Sequence, residues 1–237
     1  MKKRRSYHLI FRRGIAKTKS RFLSIFLIVF IGAAFFAGLR NTPITMQNSM
    51  NRYVKNHHFA DLTLLSSLGF DEKDVNFVRN IDGVKSAVGT YRSDGQMTFE
   101  KQDYSIIAHS QNSLFHDTDL VSGRNIEKPG ECLVDTRLKH LDLLNKQIEV
   151  KTNYGTKILT VVGFSNDTRY ISQLLRGSNT MTHLQNDAYI IMHEDDLKEI
   201  ATIDELTTLR NEDVLYNEIL IAYDTVSYTH LTLPTKA

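Results

Sequence analysis

A single cysteine, Cys132, excludes an intrachain disulfide, and its distance from any apolar segment excludes a lipid-anchor cysteine. A small packed thiol is the expected role. Three prolines and scattered glycines leave no flexible linker between domains, and neither a fixed-period repeat nor a low-complexity tract interrupts the chain. No G-x-x-x-x-G-K-[ST] or G-x-G-x-x-G loop occurs, so the chain is not expected to bind ATP or NAD itself, and no cofactor is expected. H-E-x-x-H and G-x-S-x-G are missing too, and with them any familiar catalytic constellation; the expectation is a protein that is not an enzyme. Acid is lacking in one place above all, because no Asp or Glu precedes Asp61.

Long apolar runs are absent save one, and that one is unusually clean. Phe22 to Leu39 holds 18 residues without a charge, twelve of them Leu, Ile, Phe or Val, with Ser24 as the only hydroxyl. As a helix the run is about 27 Å long, close to the ~30 Å hydrocarbon core of a bilayer. Its apolar side chains favour insertion by about 4 to 7 kcal/mol. A soluble core helix would show a polar face, and this run has none. A cleaved leader is the competing reading, supported by a Gly32-x-Ala34 pair but opposed by the length of the run and the 21 residues before it.

The flanks give the span a direction. Lys2, Lys3, Arg4, Arg5, Arg12, Arg13, Lys17, Lys19 and Arg21 precede it, which predicts residues 1–21 in the cytoplasm, a transmembrane helix over 22–39 and everything after Arg40 outside. Arg12, Arg13, Lys17, Lys19 and Arg21 stand nearest the membrane and are the expected topology-setting residues. The formal net charge of +2 conceals the split: without the nine leading cations, 20 basic residues face 27 acidic ones, a balance of −7 that argues against nucleic acid as a partner. Tyr7, Ile10, Phe11 and Ile15 fall on one face of a short helix, so the basic arm either lies amphipathically on the lipid headgroups or serves topology alone; Gly14 weighs against the helix. Within the span, Ala33/Ala37 and Ala34/Gly38 are small-xxx-small pairs that would let another helix approach.

Beyond Asn41, about 185 residues suffice for one domain or two small ones. The membrane helix is expected to continue outward through residues 41–58. Strands are expected at 60–67, 84–93, 96–110, 187–192 and 217–223, with helices at 71–81 (capped by Asp71, with Val75, Val78 and Ile81 inward), 136–145 (Leu138, Leu141 and Leu144 inward) and 194–203. Asp94-Gly95 is read as a tight turn, and Asn153-Tyr-Gly155 as the turn of a second hairpin over 148–164. Interleaved strands and helices with two hairpins give an α+β class with mixed sheets.

Potential metal ligands cluster in His116-Asp117-x-Asp119 and His193-Glu194-Asp195-Asp196, but neighbours at a helix start point apart, so solvated capping acids are expected and no metal site. His57-His58 reads as a polar surface pair. The ending VSYTHLTLPTKA, from Val226, has no helical period and no strand partner; it back-translates to a sequencing-adaptor sequence, so residues 226–237 are expected to be an artefact and the natural chain to run further.

In order along the chain, IAKTKSRFLSIFLIVFIGAAFFAGLRNT, ADLTLLSSLGFDEKDV, IDGVKSAVGTYRSD, LVSGRNIEKPGECLVDTRL and VVGFSNDTRYISQLLRGSN ahead of DAYIIM resemble permeases of MacB/FtsX-type ABC transporters, over roughly Ile10 to Tyr223. The resemblance implies a membrane subunit that hydrolyses nothing, a separate ABC ATPase subunit on the cytoplasmic side, a permease dimer, and lipid around the span. It implies that residues 40–225 are an incomplete extracytoplasmic core domain, with 60–110 and 187–223 in a mixed α/β part and about 120–165 in a smaller β-rich subdomain. The family pattern has no catalytic residues to carry over. The alternative is a single-pass membrane sensor with a ligand-binding ectodomain, which would need an output module; an anchored extracytoplasmic enzyme would need a catalytic constellation.

Overall fold

A computed structural model of the chain describes residues 19–171, 186–201 and 215–224. It divides into two units, residues 1–53 and 54–237. The first is built on helix α1, Lys19–Asn56, whose last residues reach into the second. At 38 residues α1 is about 57 Å long, roughly twice a bilayer core. No residue of it is buried. Pro43 lies inside and denies the carbonyl of Leu39 its usual partner.

The second unit is α+β, as the strand and helix pattern predicts. Its smaller part is a three-stranded antiparallel sheet in the order β1 (Leu62–Phe70), β10 (Tyr216–Tyr223), β2 (Val84–Thr90). Helix α2, Glu72–Arg79, covers one face through Val75 and Val78, which pack on Ala87, Ile219 and Ile221. Asp71 caps it as expected: its carboxylate accepts from the Asp74 amide at 2.8 Å, and Asp74 accepts from the Asp71 amide at 3.0 Å. Ile81 falls past the helix end and is exposed, so the apolar stripe is one turn shorter than its spacing suggests.

The larger part holds seven strands in the order β5 (Asp119–Gly123), β8 (Thr156–Asn166), β6 (Glu131–Asp135), β9 (Asp187–Met192), β4 (Gln102–Ser110), β3 (Arg92–Phe99), β7 (Gln147–Thr152). Because β7 also pairs with β8, six of these strands close into a barrel with β5 attached at its rim. Alternating residues fill the interior: Ile106 and Ala108 from β4, Ile148 and Val150 from β7, Ala188, Ile190 and Met192 from β9, with Leu197 and Ile200 of helix α3 (Glu194–Ala201). Cys132 lies there too, fully buried, and burial pushes its thiol pKa up. Tyr189 and Ile191 point the other way, into an outer cluster with Leu133, Val162 and Tyr170.

Further expectations need correction. Asp94-Gly95 is no turn but the middle of β3, where Gly95 lies opposite Thr152; a Cβ on it would sit 2.5 Å from the carbonyl oxygen of Lys151. The hairpin turns instead at Glu100-Lys101, both with positive φ (49° and 68°), a conformation more often given to Asn-Gly. Residues 136–145 form only a 3-10 turn, Thr136–Leu141, that buries Leu138; Leu141 and Leu144 pack against the core half-buried, and Leu143, which the helical spacing left out, is buried completely. Finally β3, β4 and β9 belong to the barrel, since β9 runs parallel to β4 and antiparallel to β6, so the implied grouping of 60–110 with 187–223 does not hold. The Asn153–Gly155 turn and strand 187–192 stand as expected. The tail at 226–237 lies outside the described residues.

Candidate functional site: an apolar span and a buried polar joint

Helix α1 presents a continuous apolar surface. Phe22–Leu39 lies wholly within α1, and its large side chains are exposed, Phe35, Phe36 and Ile28 among them. The hydroxyl of Ser24 donates to the carbonyl of Ser20 at 2.9 Å, and that of Thr42 to Gly38 at 2.8 Å, so neither leaves an unpaired donor for lipid. Lys19 and Arg21 precede the uncharged stretch and Arg40 follows it. Ala33, Ala34, Ala37 and Gly38 share the helix, and a Cβ added at Gly38 would meet nothing within 4 Å. Arg12, Arg13 and Lys17 lie outside the described residues.

In the second unit, two motifs that sequence spacing keeps 60 residues apart come together. The amides of His116 and Asp117 donate to the carbonyls of His58 and His57, both at 3.1 Å, in a short antiparallel ladder. The imidazole Nδ1 of His58 lies 2.8 Å from Asp117 Oδ2, and His57 Nε2 lies 3.5 Å from Asp119 Oδ1. Phe59 meets the ring of His116 edge-on with centroids 5.0 Å apart. The histidine pair is thus fastened to the acid run, with His58 still exposed at the surface as expected and His57 partly buried. In the other acid run, Asp196 is buried rather than solvated: it accepts from the Gly130 amide at 2.6 Å and pairs with Lys157 at 3.0 Å. Among the described residues no group of three or more His, Cys, Asp or Glu side chains could hold a metal ion.

Next to this fastening, a polar cluster is buried where the barrel meets the three-stranded sheet. Chain crossing between them occurs at Tyr91, 1% exposed, and Asn217 clamps it: its Oδ1 accepts from the Arg92 amide at 2.8 Å and its Nδ2 donates to the Arg92 carbonyl at 2.6 Å. From the end of β8, Asp167 and Arg169 form a two-pronged ion pair, with Nε and Nη2 donating at 2.9 and 2.5 Å. Burial alone would raise the Asp167 carboxyl, but the charge and hydrogen bonds of Arg169 hold it below the usual range. His109 Nε2 lies 2.7 Å from the hydroxyl of Tyr170, whose ring stacks on Tyr189 at 4.5 Å between centroids. Burial, with Arg169 and Arg92 near, keeps His109 neutral well below its ordinary pKa. His116, whose Nδ1 is 3.2 Å from Thr168 Oγ1, is brought down to about 3 by burial and Arg169, against the pull of Asp167 and Asp117. Glu218, buried on β10, is raised by burial, with Arg169 and Arg92 opposing.

Sequence reasoning did not find this cluster. Its only local signal is Asp167-x-Arg169-Tyr170 just past a strand, and the partners His109, His116 and Glu218 arrive from three distant segments.

No family model matches the chain, and no curated protein matches it. Among solved structures it is similar to the extracellular domain of the ABC-type transporter YknZ from Gram-positive bacteria, at 14% identity and a TM-score of 0.41, over 68% of this chain and 76% of that one. It is similar as well to the periplasmic region of MacB from Actinobacillus actinomycetemcomitans, at 12% identity and a TM-score of 0.40, over 68% and 67%. A third is a domain of a protein named as a permease from Porphyromonas gingivalis, at 14% identity and a TM-score of 0.38, over 69% and 73%.

Proposed function

We propose that the chain supplies a membrane span and the extracytoplasmic domain of an ABC transporter permease subunit, with its N-terminus in the cytoplasm. A separate ATPase subunit hydrolyses ATP, and the permease passes the resulting movement to the external domain; the chain itself does no chemistry. The observation that carries this reading is the 18-residue uncharged stretch of α1, exposed along its whole length and preceded by cations without a single acid. The order of family-like segments from Ile10 to Tyr223 supports the permease class. On this reading lipid surrounds Phe22–Leu39, and Ala33, Ala34, Ala37 and Gly38 receive further helices of the same subunit or of a second permease copy. Arg12, Arg13, Lys17, Lys19 and Arg21 hold the near end inside.

Two experiments test it. Reading the gene past codon 224 in its source genome is expected to show three or more further apolar runs of about 20 residues and a neighbouring ATPase gene; a kinase-like module after one span would overturn the permease reading. Reversing Arg12, Arg13, Lys17 and Lys19 to Glu in a reporter fusion is expected to disturb orientation, and an unchanged orientation would refute the assigned topology.

A further inference from the structure

A cavity of about 290 Å³ opens beside the polar joint, bounded by Leu220 of β10, Leu133 of β6, Ile191 of β9 and the loop that carries His116 and Asp117. Eight of its twelve lining residues are polar, which excludes a purely apolar occupant. Its charges are already spent internally. Arg169, the only arginine or lysine in the wall, gives Nε and Nη2 to Asp167, and Asp117 at the wall is engaged by His58. No excess positive charge remains to draw a free anion.

What the wall offers instead is neutral hydrogen bonding in both senses. Among the described residues the carboxamides of Gln111 and Asn125 have no internal partner, so each presents two donors and an acceptor. His116 closes the wall, 6% exposed, and its Nε2 is buried without a partner among the described residues. Phe115, Leu133, Ile191 and Leu220 close the back of the cavity and are almost wholly buried. Hydroxyls, which donate and accept, satisfy such a wall. A compact volume of about 290 Å³ is roughly 8 Å across, shorter than three extended residues at about 3.4 Å each, so a ring suits it better than a strand of peptide.

We propose that this cavity binds a neutral hydroxylated ligand the size of one saccharide ring. The proposal stands apart from the permease reading and survives if the chain belongs to another kind of membrane protein. Saturation-transfer NMR on the full chain in phospholipid nanodiscs, with glucose, galactose and N-acetylglucosamine as probes, tests it. Saturable binding of at least one sugar is expected, in the region of about 1 mM, weakened about tenfold in Asn125→Ala and in Gln111→Ala. Both residues are exposed, so their variants keep the fold, checked by an unchanged circular-dichroism melt. Absence of saturation with all three sugars would overturn the proposal, as would binding that both variants leave unchanged. Saturation by acetate or by an end-blocked tri-alanine but by no sugar would likewise overturn it, in favour of a carboxylate or peptide site.

Discussion

At the scale of the residue, the ion pair Asp167–Arg169 is where a single change should cost most. Asp167 is fully buried at its side chain and Arg169 nearly so, so Arg169→Ala leaves a carboxylate in the joint with no cation. A loss of about 3 to 5 kcal/mol is expected, read from urea unfolding of the full chain by tyrosine fluorescence, for which ten tyrosines and no tryptophan serve well. A loss below ~1 kcal/mol, the level of an exposed pair, would contradict the burial described. The histidines set the pH response. His116 is held at about 3 when folded against an ordinary value of 6.5, so the unfolded chain takes up the proton first as pH falls. Its contribution to stability is complete above pH 6.5 and is lost progressively toward pH 3, and Asp167, depressed in the fold, adds to the loss at the acid end. Unfolding midpoints measured from pH 7.5 to 4.5 should fall, and His116→Gln, which keeps a polar side chain that cannot titrate, should flatten the slope. These residues were illegible in the sequence for a physical reason. A buried ion pair is specified by what closes over it, and the closing segments carry no periodicity that announces them.

At the scale of the element, patterning is legible wherever one surface decides the residues. The span, the capped helix α2 and strands β9 and β10 each answer to one environment along their length, and their residue types show it. Reading fails where a position serves a neighbour instead of its own element. Gly95 looks like a turn beside Asp94 yet exists for the close approach of β7, while Glu100-Lys101 turns the chain because the β3 and β4 register demands it. Gly95→Ala is therefore expected to destabilise by about 1 to 3 kcal/mol, because the obstructing atom is backbone and cannot rotate away. The same substitution in a true turn at positive φ would cost through strain, but Gly95 is not among the positive-φ glycines, so a hydrogen-exchange map should show the loss of protection in β7 and not in a loop. Unchanged protection at Lys151 and Thr152 would contradict this. Strands β5 and β6 escaped notice because five residues give a period too little room, and β6, buried at every position, does not alternate.

At the scale of the whole molecule, the proposed function requires that Phe22–Leu39 cross a membrane and that the sheets lie outside it. Composition is what supports it, since 18 uncharged residues follow nine cations, and the described helix α1 runs unbroken through them. The polar joint and its cavity, by contrast, emerge only when distant segments fold together. The central claim is tested most directly by labelling intact cells with a membrane-impermeant maleimide. Two single-cysteine chains are needed, Ser113→Cys on the exposed surface and Ser6→Cys in the basic arm, each in a Cys132→Ala background. Labelling of Ser113→Cys in intact cells, with Ser6→Cys labelled only after permeabilisation, is expected from this topology. Labelling of Ser6→Cys in intact cells while Ser113→Cys stays protected would contradict it.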